Sequence, residues 1–449
     1  MSRSYEINMT EGPLFGKLIA FSLPLMLSNI LQLLFNAADT IVVGRFVGST
    51  ALAAVGSTGA LINLLINLFV GFSVGANVMV ARFYGAGSDK EVEETVHTAI
   101  LMSLISGVFM LAVGVLFTRQ ILVWMGSPSD VIDQSGLYLK IYFLGMPFNL
   151  LYNFGASILR AVGDTKRPLY YLTLAGVVNV ILNLFFVIVV GIGVAGVALA
   201  TITSQAISSL LVVRCLIRAE GSFKLNLHRL RIVKNKATRI MKVGLPAGIQ
   251  GIVFSLSNVL IQSSVNSFGS TAMAGNTAAM NIEGFIYTAM NTFHHAAVNF
   301  ISQNFGANKQ DRIRRVALIC FFMVTVVGLA AGWGAWLAGR SLLGIYSSDP
   351  EVISIGLTRM SVLCTTYFLC GIMDMMVGCL RGVGYSFLPM VVSLLGACGL
   401  RILWLATIFR MQRTLMSLYI SYPVSWIITA SVHILCFILV RRRQRKGLI

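Results

Sequence analysis

Charge is scarce in this sequence. Only 11% of its 449 residues are Asp, Glu, Lys or Arg, where soluble proteins carry about 25%. Acids are the rarer sign, 16 against 34 bases, so every acid inside an apolar run is a question. Metal-binding chemistry is also missing. The seven cysteines, at 215, 320, 364, 370, 379, 398 and 436, form no CxxC and have no histidine at zinc spacing, so they read as small apolar helix residues. HExxH is absent, and His294 follows Glu283 by eleven positions, about 16 Å of helix, too far for one metal without other segments. No Walker A motif is present, which removes ATP as the direct energy source. GIGVAG at 191–196 has the letters of a dinucleotide loop but joins two apolar helices and follows no strand. Short alternating strands are lacking too, which argues against a membrane barrel. The first apolar segment is too long for a signal-peptide core and has no evident cleavage site, so no cleaved leader is expected.

What fills the chain is apolar: 57% hydrophobic residues and a mean hydropathy of +0.83. Runs of 20 or more recur from end to end, the signature of a polytopic helical membrane protein. Twelve spans are expected, near 16–43, 52–80, 94–117, 134–157, 168–190, 195–217, 238–265, 273–302, 315–338, 353–378, 388–409 and 415–440. The net charge of +18 does not indicate nucleic acid, because the bases cluster at Arg214–Lys242, Lys309–Arg315 and RRRQRK at 441–446, on one side of that topology. With both ends cytoplasmic the inner segments hold 26 Lys and Arg and the outer loops five, as the positive-inside rule requires. Lys140, Arg359 and Arg401 fall inside spans.

The chain repeats itself. GSTALA at 48–53 returns as GSTAMA at 269–274, YGA at 84–86 as FGA at 305–307, and LRAVG at 159–163 as LRGVG at 380–384, with Pro168 on Pro389, all 221 residues apart. Pro24 and Pro246 are 222 apart. Six spans are therefore duplicated in one orientation, a parallel repeat. The expected organisation is an N-lobe over 1–218, a basic cytoplasmic linker over 219–237, and a C-lobe with a basic tail over 238–449. Two such bundles suggest a central cleft and rocking between inward-open and outward-open states.

Asp39 is the one charged side chain between Lys17 and Arg45, a stretch of roughly 40 Å as helix. A charge at such depth costs several kcal/mol and is functional by default. Asn29, Gln32, Asn36 and Asp39 fall within an arc of about 80°, so this stripe faces protein or water. Asp39 lies about 12 Å outward of the middle of its span. In the fifth span, one turn apart, Asn179 and Asn183 offer amide oxygens beside a carboxylate, suited to a hard cation or to a protonated Asp held by hydrogen bonds; the bland alternative is helix–helix contact. The second half differs. Asn276, Met280, Glu283, Tyr287 and His294 keep helical spacing in the eighth span, with Asn291 at the edge; Tyr367, Cys370 and Asp374 share a face in the tenth; Ser255, Asn258, Gln262 and Asn266 form a stripe in the seventh. The repeat pairs Glu283 with Ile62 and Asp374 with Asn153, so the charges were not duplicated. Arg401 could neutralise either acid. Methionines and aromatics would suit a pocket that repacks around varied molecules, or plain core. Pro24 permits a kink in the first helix, and Pro246 in the seventh.

The opening SLPLMLSNILQLLFNAADTIVVGRFVGSTALAAVG, the loop RFYGAGSDKEVEETV and LRAVGDTKRP together resemble bacterial multidrug and toxic compound extrusion (MATE) transporters, DinF-like and NorM-like members included. The similarity spans essentially the whole chain. It implies an all-α membrane protein of twelve helices in two six-helix lobes. It also implies secondary efflux of amphipathic, often cationic compounds by Na⁺ or H⁺ antiport, with no enzyme chemistry and no cofactor. In such transporters an acid on the first helix and Asn or Asp on the fifth form the cation site; Asp39, Asn179 and Asn183 match those positions, with Thr201 on the sixth as a weaker ligand. Asp374 resembles the tenth-helix acid of NorM-like members, which place their other second-lobe acid on the seventh helix, where this chain has Gln262. In DinF-like relatives bending of the first helix is linked to protonation of its Asp, which makes Pro24 the expected hinge. The expected substrate cavity comprises Gln32, Asn36, Asn258, Gln262, Met280, Glu283, Tyr287, Tyr367 and Asp374. The expected partners are drugs or toxic cations and the lipid bilayer, not nucleic acid, for a monomer in the bacterial cytoplasmic membrane. Two other functions are the alternatives. A lipid-linked saccharide flippase of the same superfamily would want a more cationic cavity, and a membrane-embedded enzyme would need a nucleophile–base or metal constellation.

Overall fold

The computed structural model describes residues 5–124 and 131–445; Lys446 of the basic tail lies outside them. Among the described residues the regular elements are all helical. The first half runs α1 (Leu14–Val42), α2 (Ser49–Gly85), α3 (Asp89–Trp124), α4 (Ile132–Leu144), α5 (Met146–Ala161), α6 (Lys166–Leu184) and α7 (Gly193–Arg218). The second runs α8 (Lys234–Asn266), α9 (Ser270–Gly306), α10 (Gln310–Leu337), α11 (Gly339–Gly344), α12 (Pro350–Gly382), α13 (Phe387–Ser393), α14 (Leu400–Ala406), α15 (Ile408–Met411) and α16 (Leu415–Arg445). Wide π turns occupy Val43–Val47, Phe185–Val189 and Leu394–Gly399.

These elements make the twelve expected passages, and among the described residues ten are long and apolar enough to cross a membrane. The other two have physical reasons to differ. The fourth is broken at Gly145, where Pro147 in the first turn of α5 cannot donate to the preceding turn. The eighth, α9, spreads Asn276, Asn281, Glu283, Asn291, His294 and His295 along its length.

The repeat is visible in the backbone. Gly48 and Gly269 have φ of 123° and 97°, and Gly163 and Gly384 have 94° and 96°. Gly87, at φ 65°, corresponds to Asn308 at φ 55°, the one described non-glycine residue with positive φ. Both end a helix in the same way: the N–H after Gly87 reaches Phe83 O at 3.1 Å, and the N–H after Asn308 reaches Asn304 O at 2.8 Å. Asn tolerates this left-handed cap better than other side chains, so the duplicated loop keeps its shape without glycine.

The chain forms two compact units. One comprises Leu23–Gly248 with the start of the chain up to Met9; the other comprises Thr10–Ser22 with Ile249 onward. The divisions fall within α1 and within α8, each within two residues of a proline, Pro24 or Pro246. The basic linker 219–237 lies in the first unit. Arg229 pairs with Glu93 at 3.0 Å, Arg231 with Glu94 at 3.4 Å and Lys236 with Glu91, all at the start of α3. His97 Nε2 accepts from the Asn226 backbone at 3.0 Å. At the start of α6, in the DTKRP loop, Asp164 accepts from the backbone N–H groups of Lys166 and Arg167 at 3.1 and 3.0 Å. Burial nonetheless pushes its carboxyl up to about 6.

In the first unit α2 meets the leading half of α8 backbone to backbone. Gly71 and Gly75 face Gly244 and Gly248, two GxxxG stripes; a Cβ on Gly75 would lie 2.1 Å from Ile240 O, and one on Gly71 2.4 Å from Gly248 N. No side chain fits without separating the helices. Gly75→Val is expected to destabilise by at least about 1–3 kcal/mol, whereas Gly56→Ala, with open space around its Cβ, is expected to be neutral or better. Thermal unfolding in detergent checks both; equal midpoints would refute the close packing. In the second unit α12 is central, packed on α9, α10 and α16.

Candidate functional site

The first site is set by where α1 meets α6. A Cβ on Gly176 would come within 1.9 Å of the Phe35 ring, so the glycine is a seat for that ring and brings the helices together. One turn beyond Phe35 is Asp39, and Asn179 and Asn183 follow Gly176. Asn183 donates through Nδ2 to Asp39 Oδ1 and lies 3.3 Å from Asn179 Oδ1. Each partner stands just before a π turn, Val43–Val47 or Phe185–Val189, and the two turns touch. The wide turns are what end the two helices beside the site.

Asn183 is fully buried, and among the described residues no group donates to its Oδ1. A buried amide oxygen without a donor costs roughly 1–3 kcal/mol. On an amide whose nitrogen donates to a carboxylate, such an oxygen is chemically able to accept from water or to ligate a cation. Asp39 and Asn179 border a cavity of about 170 Å³, which Asn183 itself does not line. Asn29, Gln32, Asn36 and Asp39 all line it, so the polar stripe of α1 faces this space. Thr201 lines it as well, with Oγ1 donating to Val197 O at 2.9 Å in its own helix.

Several lining groups were missed from the sequence. Asn149 and Asn153 of α5 are joined at 3.1 Å and face the cavity, as do Gln205 and Arg160. The i, i+4 spacing of the two asparagines was the available signal. Tyr138 and Tyr142 of α4, stacked at 5.9 Å, lie within electrostatic reach of Asp39. Pro24 sits inside a continuous α1, its carbonyl accepting from Ser28 Oγ at 2.9 Å.

The second unit corrects one expectation. Arg401 pairs with neither acid. Arg359 takes Glu283 in a two-pronged ion pair, Nε to Oε1 at 2.8 Å and Nη2 to Oε2 at 2.7 Å, with both side chains 4% exposed. The reason is rotation about α12, which turns Arg359 toward α9. Its third nitrogen donates to Asn276 Oδ1 at 2.7 Å, Asn276 donates to Gln262 Oε1 at 2.9 Å, and Gln262 donates to Asn266 Oδ1 at 2.9 Å. Tyr419 and Tyr422 rings flank the guanidinium at 5.5 Å. Glu283 and Gln262 thus belong to a bonded network, not to a free acidic wall.

Asp374 is separate. Asn291 donates to its Oδ2 at 2.7 Å, and His294 Nδ1 lies 2.8 Å from its backbone carbonyl and 3.7 Å from Oδ1. Arg381 continues inward, 3.5 Å from His294 Nε2 and donating to Gln250 Oε1 at 2.8 Å. Tyr367 packs edge-on against Trp426 at 5.3 Å. Met280, Tyr287 and Asn258 are exposed in this unit.

A model of the MatE family matches residues 24–185 and 246–407, once in each half. Curated relatives include a "probable multidrug resistance protein YoeA" of Bacillus subtilis strain 168, 29% identical over 392 residues and covering 85% of this chain and 84% of that protein. A "probable multidrug resistance protein NorM" of Thermotoga maritima is 25% identical over 384 residues, covering 84% and 82%. Among solved structures, an outward-facing multidrug resistance MATE family transporter of the MOP superfamily superposes with a TM-score of 0.92 at 20% identity, over 99% of this chain and 100% of that one. At that identity the likeness establishes the fold.

Proposed function

The chain belongs to the MatE family, and from that premise we propose that it exports amphipathic, often cationic organic compounds in exchange for Na⁺ or H⁺ taken up at Asp39. Its curated relatives carry multidrug resistance and multidrug export names, which supports the substrate class. One observation carries the ion site: Asp39 and Asn179 line a polar cavity and are both held by Asn183, a buried amide whose Oδ1 has no donor among the described residues.

In this reading both chain ends lie in the cytoplasm of a bacterial cell and the two units alternate access. An external cation binds at Asp39, with Asn179, Asn183 and Thr201 as neighbouring oxygen donors, and favours a state of lower drug affinity. The drug leaves outward and the cation is released inside. A ligand shifts such an equilibrium only by its differential affinity for the two states, so ion and drug must each prefer one. One monovalent charge falling through 100 mV supplies roughly 2.3 kcal/mol; a monocationic drug exchanged one for one would cancel that term and leave only the chemical gradient.

The test is efflux of ethidium from proteoliposomes holding the purified protein, under an imposed Na⁺ or H⁺ gradient. Dye efflux is expected with one of these gradients and not without any. Equal dye movement in the presence and absence of both gradients would remove antiport from the reading.

A further inference from the structure

Arg359 and Arg401 are both buried on membrane-spanning helices of the second unit, and of these two only Arg359 has a carboxylate among the described residues. Arg359 is taken by Glu283. Arg401, on α14 directly after the π turn Leu394–Gly399, is 4% exposed. Its Nε donates to Ser425 Oγ at 2.9 Å, and its guanidinium lies 4.3 Å from the Tyr422 ring centroid and 5.7 Å from that of Trp426. Among the described residues no carboxylate stands within ion-pair distance of it, and its two terminal amino groups make no hydrogen bond. Ring faces attract a cation by about 0.5–2 kcal/mol each but leave its charge and its donors unmatched. A guanidinium at membrane depth costs at least about 2.5–3.5 kcal/mol and marks a functional position by default.

The repeat gives that position a meaning. The two family matches begin 222 residues apart, at 24 and 246, and end 222 apart, at 185 and 407. Pro168 and Pro389 are 221 apart. One extra residue therefore enters the second half after Pro389, where the π turn Leu394–Gly399 lies, and a π turn is how a helix absorbs one added residue. On the spacing of 222, Asp39 falls on Ile261 and Asn179 falls on Arg401. Ile261 sits in an apolar cluster with Val265, Phe409 and Leu418, against which Trp404 and Tyr422 pack. The acid of the first unit's site has become an alkyl group, and the neutral oxygen ligand has become a fixed cation. The duplicated position has changed sign.

We propose that Arg401, with Tyr422 and Trp426, is a subsite for an aromatic carboxylate. The carboxylate takes the two terminal amino groups of the guanidinium as a planar pair, the geometry at which arginine excels. The adjoining aromatic ring lies against Tyr422 and Trp426, whose rings are already set edge to face at 5.7 Å, with Tyr367 edge-on behind at 5.3 Å. The ligand class is an amphiphile with a carboxylate beside an aromatic ring, zwitterions included. As an addition to the exported substrates this rests on the proposed efflux; as a binding site it stands without any gradient.

The experiment compares 2-naphthoate with 2-naphthamide, nearly isosteric and differing in charge, by titration calorimetry on the full-length protein in detergent. The wild type is expected to bind the naphthoate at least tenfold more tightly. Arg401→Gln is expected to abolish that preference, and Arg401→Lys to keep only part of it. Trp426→Leu is expected to weaken both ligands while keeping their ratio. If Arg401→Gln does not fold, the wild-type ratio and the other two variants still decide. Equal or absent binding of both ligands by the wild type overturns the assignment, as does a naphthoate preference untouched by substitution at Arg401. A wild type without naphthoate preference but with intact ethidium efflux would remove this subsite alone, and a wild type with the preference but without gradient-driven efflux would remove the efflux reading alone.

Discussion

Asp39→Asn is expected to abolish gradient-driven ethidium efflux while leaving the protein folded and able to bind dye. The substitution keeps shape and a side-chain oxygen that can still accept from Asn183 Nδ2, the bond that holds Asp39 in place. What it removes is the charge. In the wild type the coupling ion is expected to change dye affinity by about 5- to 150-fold, the range of a coupling free energy of 1–3 kcal/mol. In Asp39→Asn the ion is expected to change it by less than about twofold. Dye affinity itself is expected to hold, because Asn29, Gln32 and Asn36 still line the cavity. Measuring both quantities on one preparation separates coupling from binding. Undiminished gradient-driven efflux in the variant would end the assignment of Asp39, and so would an ion effect on dye affinity equal to that of the wild type.

The parts of this architecture that could be read from the sequence are those fixed by local chemistry. Span positions follow from apolar runs that must satisfy their own backbone. The repeat follows from loop residues such as Gly48, Gly87 and Gly163, whose positive φ selects glycine or asparagine again 221 residues later. The polar stripe of α1 follows from helical period alone, and it does line a cavity. What escaped is whatever depends on rotation or register between distant helices. Arg359 and Arg401 are each a lone arginine in an apolar span, and nothing local says which faces Glu283. The answer lies in the α9–α12 packing, across 76 residues. The Gly176 seat for Phe35 is equally long-range, since a glycine in a helix shows no partner until the ring is found on it. The π turns are single-residue shifts, below the resolution of hydrophobic periodicity, yet they set where Asp39, Asn183 and Arg401 stand.

Breaking the Glu283–Arg359 pair is expected to give the largest loss of stability in the second unit, and to do so asymmetrically. Removing one partner of a buried ion pair costs about 3–5 kcal/mol because the other charge is stranded. The stranded groups differ, however. A carboxylate left alone in Arg359→Met can take up a proton and become neutral, but the guanidinium left alone in Glu283→Gln cannot give one up. Glu283→Gln is therefore expected to be the more damaging of the two. The double variant Glu283→Gln/Arg359→Met removes both charges and is expected to lie closer to wild type than Glu283→Gln alone, since a neutral pair of similar volume is often no worse than the ion pair it replaces. Asn276 loses one donor in that variant but keeps its own bond to Gln262. Unfolding midpoints in detergent across the four proteins give the coupling energy directly. The same set decides what Glu283 is for. A carboxylate free to attract a cationic drug would leave the midpoint of Glu283→Gln unchanged and weaken only dye binding. A carboxylate bound on both oxygens by Arg359, as here, makes stability the quantity that moves.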